Sequence, residues 1–154
     1  MGFSDLATQI IMFIAVITVA TGLIVVFNAS VTEASNSVRI RTDTLSLTMR
    51  TDITIDMVSY ESSTNTTFVY VRNTGKTMLT PNQTDVYLNG FRIPRNESYR
   101  TIEIIEDTDL INPGVWDPSE QIIIKIFQEL NSSVIHEVTV ATEYNVQQTE
   151  KFSV

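Results

Sequence analysis

From Leu6 to Phe27 the chain reads LATQIIMFIAVITVATGLIVVF, 22 residues without a charged side chain. As an α-helix, at about 1.5 Å per residue, this run extends roughly 33 Å, close to the hydrocarbon thickness of a bilayer. A helix that is apolar on every side needs lipid or a large protein core to cover it. A chain of 154 residues offers no core of that size. A cleaved secretory signal would open on basic residues before a shorter apolar stretch. Met1 to Asp5 carry none. Residues 1–27 therefore read as a permanent anchor in membrane lipid.

Two signals bear on which side of the membrane the rest of the chain lies. Arg39 and Arg41 follow the apolar run, and positive charge favours the cytoplasmic side. Against them stand five Asn-x-Ser/Thr sequons, at Asn28, Asn65, Asn82, Asn96 and Asn131. Glycan acceptors have meaning only on exposed segments outside the membrane. The sequons are the more extensive signal and point to an extracytoplasmic C-terminal part.

Within the anchor, Thr8, Ala15, Thr18 and Gly22 recur at spacings that align them on one helix face. Small residues let helix backbones approach closely, and a Thr hydroxyl can bond across to a neighbour. That stripe is a candidate for helix–helix packing; its plain alternative is tolerated variation in an anchor. Asp5, with Ser4, suits a helix N-terminus. Its sharper alternative is pairing with the amino group of a neighbouring subunit.

Beyond Phe27 the composition turns polar but the helical rhythm continues through Val31, Ala34, Val38, Leu45 and Met49. No Gly or Pro falls between Asn28 and Thr51. A helical stalk over 28–50 is expected, with Asn28–Ser30 and Thr42–Thr44 as the places for a break.

From Thr51 the period becomes two. Ile53, Ile55 and Met57 alternate with Thr54 and Asp56, and TFVYVR (67–72) closes on Asn73-Thr74-Gly75. Segments 85–88 and 91–93 flank Asn89-Gly90, the strongest short hairpin signal. RTIEII (100–105), QIIIKIF (121–127), VIHEVTVAT (134–142) and 149–154 complete a set of seven or eight short strands. Strands of this kind bury one face each, so residues 51–154 are expected to form an all-β, immunoglobulin-like sandwich. QIIIKIF is safe only as a central strand; at an edge it would be a polymerisation surface.

The search for chemistry excludes more than it finds. There is no Cys, no phosphate-cradling Gly-x-x-x-x-Gly-Lys-Ser/Thr and no Gly-x-Ser-x-Gly elbow. The single histidine, His136, lies in an alternating strand, where a surface or rim position is expected. Glu106-Asp107-Thr108-Asp109, with Asn112 or Asp117, groups hard oxygen atoms but lacks the spacing of a calcium loop. A net charge of −8 disfavours nucleic acid. No enzyme activity, cofactor, metal or small-molecule substrate is expected. Candidate partner contacts are Trp116, within Pro-Gly-Val-Trp-Asp-Pro, and the hairpin tip Asn89, Gly90 and Phe91. Trp116 has a second reading, as a plug at the edge of the core.

The opening MGFSDLATQIIMFIAVITVATG, the stretch MRTDITI, VYVRNTGKTML followed by VYLNG, and NPGVWDPSEQIIIKI together resemble accessory proteins of the archaellum, the archaeal motility filament. The resemblance spans nearly the whole chain. It implies an archaellin-like sandwich on a membrane helix, with a stator or filament role beneath the S-layer. Implied partners are other copies of the chain, another archaellum accessory protein and the S-layer protein. MRTDITI and the NTG turn resemble the G type, thought to form a short filament. The MGFS opening resembles the F type, thought to grip the S-layer. Filament subunits carry a basic leader before the helix, and none precedes Leu6 here.

Overall fold

The computed structural model describes residues 2–154 other than Leu110, with side chains from Ser4 onward. Two compact units divide between Asp43 and Thr44.

Helix α1 runs unbroken over Gly2–Arg50. It is long and apolar enough to cross a membrane. The breaks expected near Asn28–Ser30 and Thr42–Thr44 do not occur. Neither place holds a Gly or Pro, and the polar side chains there serve the helix. Thr32 Oγ1 donates to the Asn28 carbonyl (2.8 Å) and Thr42 Oγ1 to that of Val38 (2.9 Å). In the apolar run Thr8, Thr18 and Thr21 do the same toward Ser4, Ile14 and Ile17, at 2.9, 2.8 and 2.7 Å. Such back-bonding is how a hydroxyl sits in hydrocarbon without an unsatisfied group. Asp5 lies inside the first helical turn. There its charge favours the positive end of the helix dipole.

Among the described residues, the second unit contains the end of α1 and eight strands: β1 Ile53–Glu61, β2 Thr66–Asn73, β3 Asp85–Leu88, β4 Phe91–Arg92, β5 Arg100–Ile104, β6 Gln121–Phe127, β7 His136–Ala141 and β8 Gln147–Phe152. They form two four-stranded antiparallel sheets, ordered β1-β2-β6-β5 and β4-β3-β7-β8. The inner faces are alternating residues of the kind the period of two demanded. Val69 and Val71 from β2, Ile122, Ile124 and Ile126 from β6, and Val138 and Val140 from β7 are wholly buried. Each contributes about 1.5–3 kcal/mol relative to exposure. QIIIKIF is a central strand, paired to β2 on one side and β5 on the other. Its aggregation-prone edges are thereby covered.

The helix joins the sandwich through backbone groups. Thr74 and Gly75 N–H donate to the Asp52 carbonyl (3.0 and 2.9 Å), and Lys76 N–H donates to that of Arg50 (2.7 Å). The Asn73 side chain, fully buried, holds this turn. Its Nδ2 donates to the carbonyls of Thr77 (2.8 Å) and Trp116 (3.1 Å), and its Oδ1 accepts from Gly75 N–H (3.1 Å). A Cβ at Gly75 would collide with the backbone of Asp52 and Arg50. Gly75 is thus required by close approach, which marks NTG as part of the junction between helix and sheet.

Candidate functional site

Trp116 is not a surface anchor. It is wholly buried, its indole Nε1 donates to the Glu120 carbonyl (3.0 Å), and its backbone bridges Leu79. A side chain that large, with its one donor satisfied inside, belongs to the core. It has no face left for a partner, which corrects the expected contact role.

The hairpin tip divides. Asn89 (φ 52°) and Gly90 (φ 80°) both take the left-handed conformation of a type I′ turn. The Asn89 side chain faces its own domain: Oδ1 accepts from Glu137 N–H (3.0 Å) and Nδ2 lies 3.0 Å from His136 Nδ1. Phe91, by contrast, is 78% exposed. It pairs with Leu88, whose side chain is buried, but β4 is the outermost strand of its sheet, and among the described residues no further strand pairs with it.

His136 departs from the surface or rim position expected of it. It is buried, with Nε2 2.9 Å from the Asn131 carbonyl and its ring 5.8 Å from that of Phe152. Its neighbour Glu137 takes the outward place.

The end of the sandwich carrying this hairpin lies opposite the helix junction. There β6 leaves at Phe127, the 128–135 loop crosses to β7, and Tyr99 O accepts from Phe127 N–H (2.9 Å). Phe91, Tyr99, Phe127, Val134 and Ile135 all lie on this end and are exposed. Sequence patterning singled out only Phe91. Tyr99, Val134 and Ile135 precede strands and Phe127 ends one, where alternation no longer says which way a side chain points.

A charged cluster also escaped the sequence reading. Asp85 Oδ1 accepts from Arg92 Nη2 (2.7 Å) and Arg95 Nε (3.0 Å). Burial pushes the Asp85 pKa up, but the hydrogen bonds and charges of the two arginines outweigh it and hold the carboxyl below its ordinary value. Arg100 is buried, with Nη2 on the Thr84 carbonyl (2.7 Å). Burial lowers its pKa, with Asp85 opposing. The available signal was the spacing: three of the chain's ten Lys and Arg fall within residues 92–100.

Among the described residues no group of three or more His, Asp or Glu is placed to hold a metal. In the acidic loop Asp109 Oδ2 accepts from Gly114 N–H (3.2 Å), while Asn112 Nδ2 donates to Asp117 Oδ2 (2.8 Å). These oxygens serve the turn. The five sequon asparagines are exposed, as are Thr8, Ala15, Thr18 and Gly22 along the helix.

A long apolar helix joined to a two-sheet sandwich defines a helix-anchored β-domain protein. The chain belongs to the archaeal-type flagellin family, whose model matches residues 2–152. It is accordingly a structural protein and not an enzyme. In fold it is similar to the archaellum periplasmic stator protein FlaG from Sulfolobus acidocaldarius, with a TM-score of 0.55 and 21% identity over 66% of this chain and 99% of that one. It is also similar to a chain of the archaellum periplasmic stator protein complex of FlaF and FlaG from the same organism. There the TM-score is 0.53 and the identity 22%, over 65% of this chain and 87% of that one. No curated protein matches it in sequence.

Proposed function

We propose that this chain is a stationary, membrane-anchored component of the archaellum, of the G type, whose sandwich lies outside the cell and binds other subunits through its helix-distal end. The observation that carries this reading is the exposed apolar set Phe91, Tyr99, Phe127, Val134 and Ile135 on one end of an otherwise acidic domain. Apolar side chains concentrated on an exposed rim are the usual mark of a protein interface. The similarity to a chain of a FlaF–FlaG complex supports a second accessory protein as occupant, and a second copy of this chain is the other candidate. The mechanism is mechanical. A membrane helix alone slides in a fluid bilayer, so resisting torque requires the domain to be held by something rigid. Attachment to the S-layer, directly or through a short filament of copies, supplies that hold. Close packing of helices along Thr8, Ala15, Thr18 and Gly22, with Asp5 at their start, would align the copies in the membrane.

The chain has no Cys, so a single introduced thiol reports sidedness cleanly. Ser132→Cys is expected to react with a membrane-impermeant maleimide in intact cells; protection until lysis would overturn the orientation. Electron microscopy of the full-length protein diluted out of detergent should show short filaments. Discrete dimers would favour the F type instead.

A further inference from the structure

Strand β5 is the last strand of its sheet. Tyr99 O and Ile105 N–H bond across to β6 and its flank. Antiparallel alternation then turns the backbone groups of Ile102 and Ile104 the other way, toward the open edge. Neither has a backbone partner on that side among the described residues. A groove of about 320 Å³ lies at Ile102–Ile104, lined also by Pro81, Asn82, Asp109 and Gly114. It is contiguous with a cleft of about 420 Å³ lined by Arg95, Arg100 and Glu97; Ile102 and Asn82 border both. In that cleft Arg100 Nη1 is buried and has no hydrogen-bond partner. A buried guanidinium donor left unpaired is costly, and carboxylates are its best acceptors.

We propose that the β5 edge docks an extended segment of another polypeptide, its backbone pairing with Ile102 and Ile104 and a carboxylate entering the Arg95–Arg100 cleft. An added strand satisfies the unpaired edge, and the charge fixes its register. The surface adjoins the helix-distal apolar end at Tyr99–Arg100 but engages a backbone edge and a charge where that end offers apolar rings, so the acid–amide comparison reads it apart from that assembly. Asp85 neutralises part of the arginine cluster, and Glu103 is tied to Lys125 (2.9 Å). Glu97 is the remaining carboxylate at the cleft, and it competes with the incoming one.

The test uses full-length, ¹⁵N-labelled protein in detergent and the peptide Thr-Val-Thr-Val-Thr-Val with a free C-terminal carboxylate. Saturating peptide is expected to slow hydrogen exchange at the Ile102 and Ile104 amides about tenfold or more. Amidating its C-terminus, or introducing Arg95→Gln, should weaken binding by about fivefold or more. The amidated peptide leaves the protein untouched, so it is informative even if an arginine variant misfolds. Glu97→Gln should tighten binding. Equal affinity for acid and amide, or unchanged exchange at Ile102 and Ile104, would overturn the proposal. So would cleft binding by sulfate with no binding of either peptide.

Discussion

Asn89 Nδ2 lies 3.0 Å from His136 Nδ1, while Asn89 Oδ1 accepts from Glu137 N–H, also at 3.0 Å. The second bond fixes which way the amide points, so Nδ2 donates and Nδ1 must accept. His136 then carries its proton on Nε2, where it donates to the Asn131 carbonyl (2.9 Å). One amide thus links the β3–β4 hairpin to the 128–135 loop, the two segments that carry Phe91, Val134 and Ile135. Asn89→Ala removes both bonds and places a Cβ residue with no side-chain compensation at φ 52°. It is expected to cost about 1–3 kcal/mol in urea unfolding. Asn89→Gly, which tolerates the backbone angle, should recover part of that loss.

The strands and their turns were legible because alternation and Asn-Gly, Asn-Thr-Gly and Pro-Gly signals are local. QIIIKIF occupies β6 to the residue. What the sequence could not reveal are relations set by tertiary packing. His136 and Glu137 alternate identically on paper, and only the sheet behind them decides that His136 goes inward. Trp116 offered two readings, and its burial supports the core one. Arg92, Arg95 and Arg100 look like scattered surface charges until the 94–99 turn gathers them beside Asp85. Of the apolar end, Phe91 alone was visible, because it adjoins a recognisable turn.

Gly75 faces the backbone at the helix–sheet junction, where a Cβ would meet Arg50 O at 2.7 Å and Asp52 N closer still. Neither is a flexible side-chain end that could move aside. Gly75→Ala is expected to destabilise the sandwich by about 1–3 kcal/mol. Hydrogen exchange at the Thr74, Gly75 and Lys76 amides should rise first, since their bonds to Asp52 and Arg50 would lengthen. Uniform loss of protection across all strands would contradict a local effect.

Asp85 gives the fold an acid-sensitive element. Its carboxyl titrates below its ordinary value of 3.8 because Arg92 and Arg95 favour the charged form over the cost of burial. A depressed folded-state pKa means that the contribution is whole above the unfolded value and disappears as pH falls through the folded one. Arg92 and Arg95 are about half exposed (53% and 41%), which screens the pair. Asp85→Asn should therefore cost only about 1 kcal/mol near neutral pH. The gap between wild type and variant in urea midpoint should close as pH falls below 3.8. A gap unchanged at about pH 2 would mean that the arginines do not act through charge.

Trp116 and Phe91 are aromatic residues with opposite expected phenotypes. Trp116→Ala empties a wholly buried site and removes the donor to the Glu120 carbonyl. About 3–5 kcal/mol should be lost, enough to threaten folding of a small domain. Trp116→Phe keeps most of the volume and should cost less, leaving any self-association of the folded protein intact. Phe91→Ser deletes a ring that is 78% exposed, so the unfolding free energy from urea titration should stay within about 0.5 kcal/mol of wild type. Association is where it should act: at matched concentrations, sedimentation of the detergent-diluted protein should shift toward smaller species. Association unchanged in Phe91→Ser, and in Phe91→Ser combined with Ile135→Ser, would remove the helix-distal end as the interface. Loss of association in Trp116→Phe without loss of stability would point instead to the helix-proximal end, where Trp116 packs under the Asn73 turn.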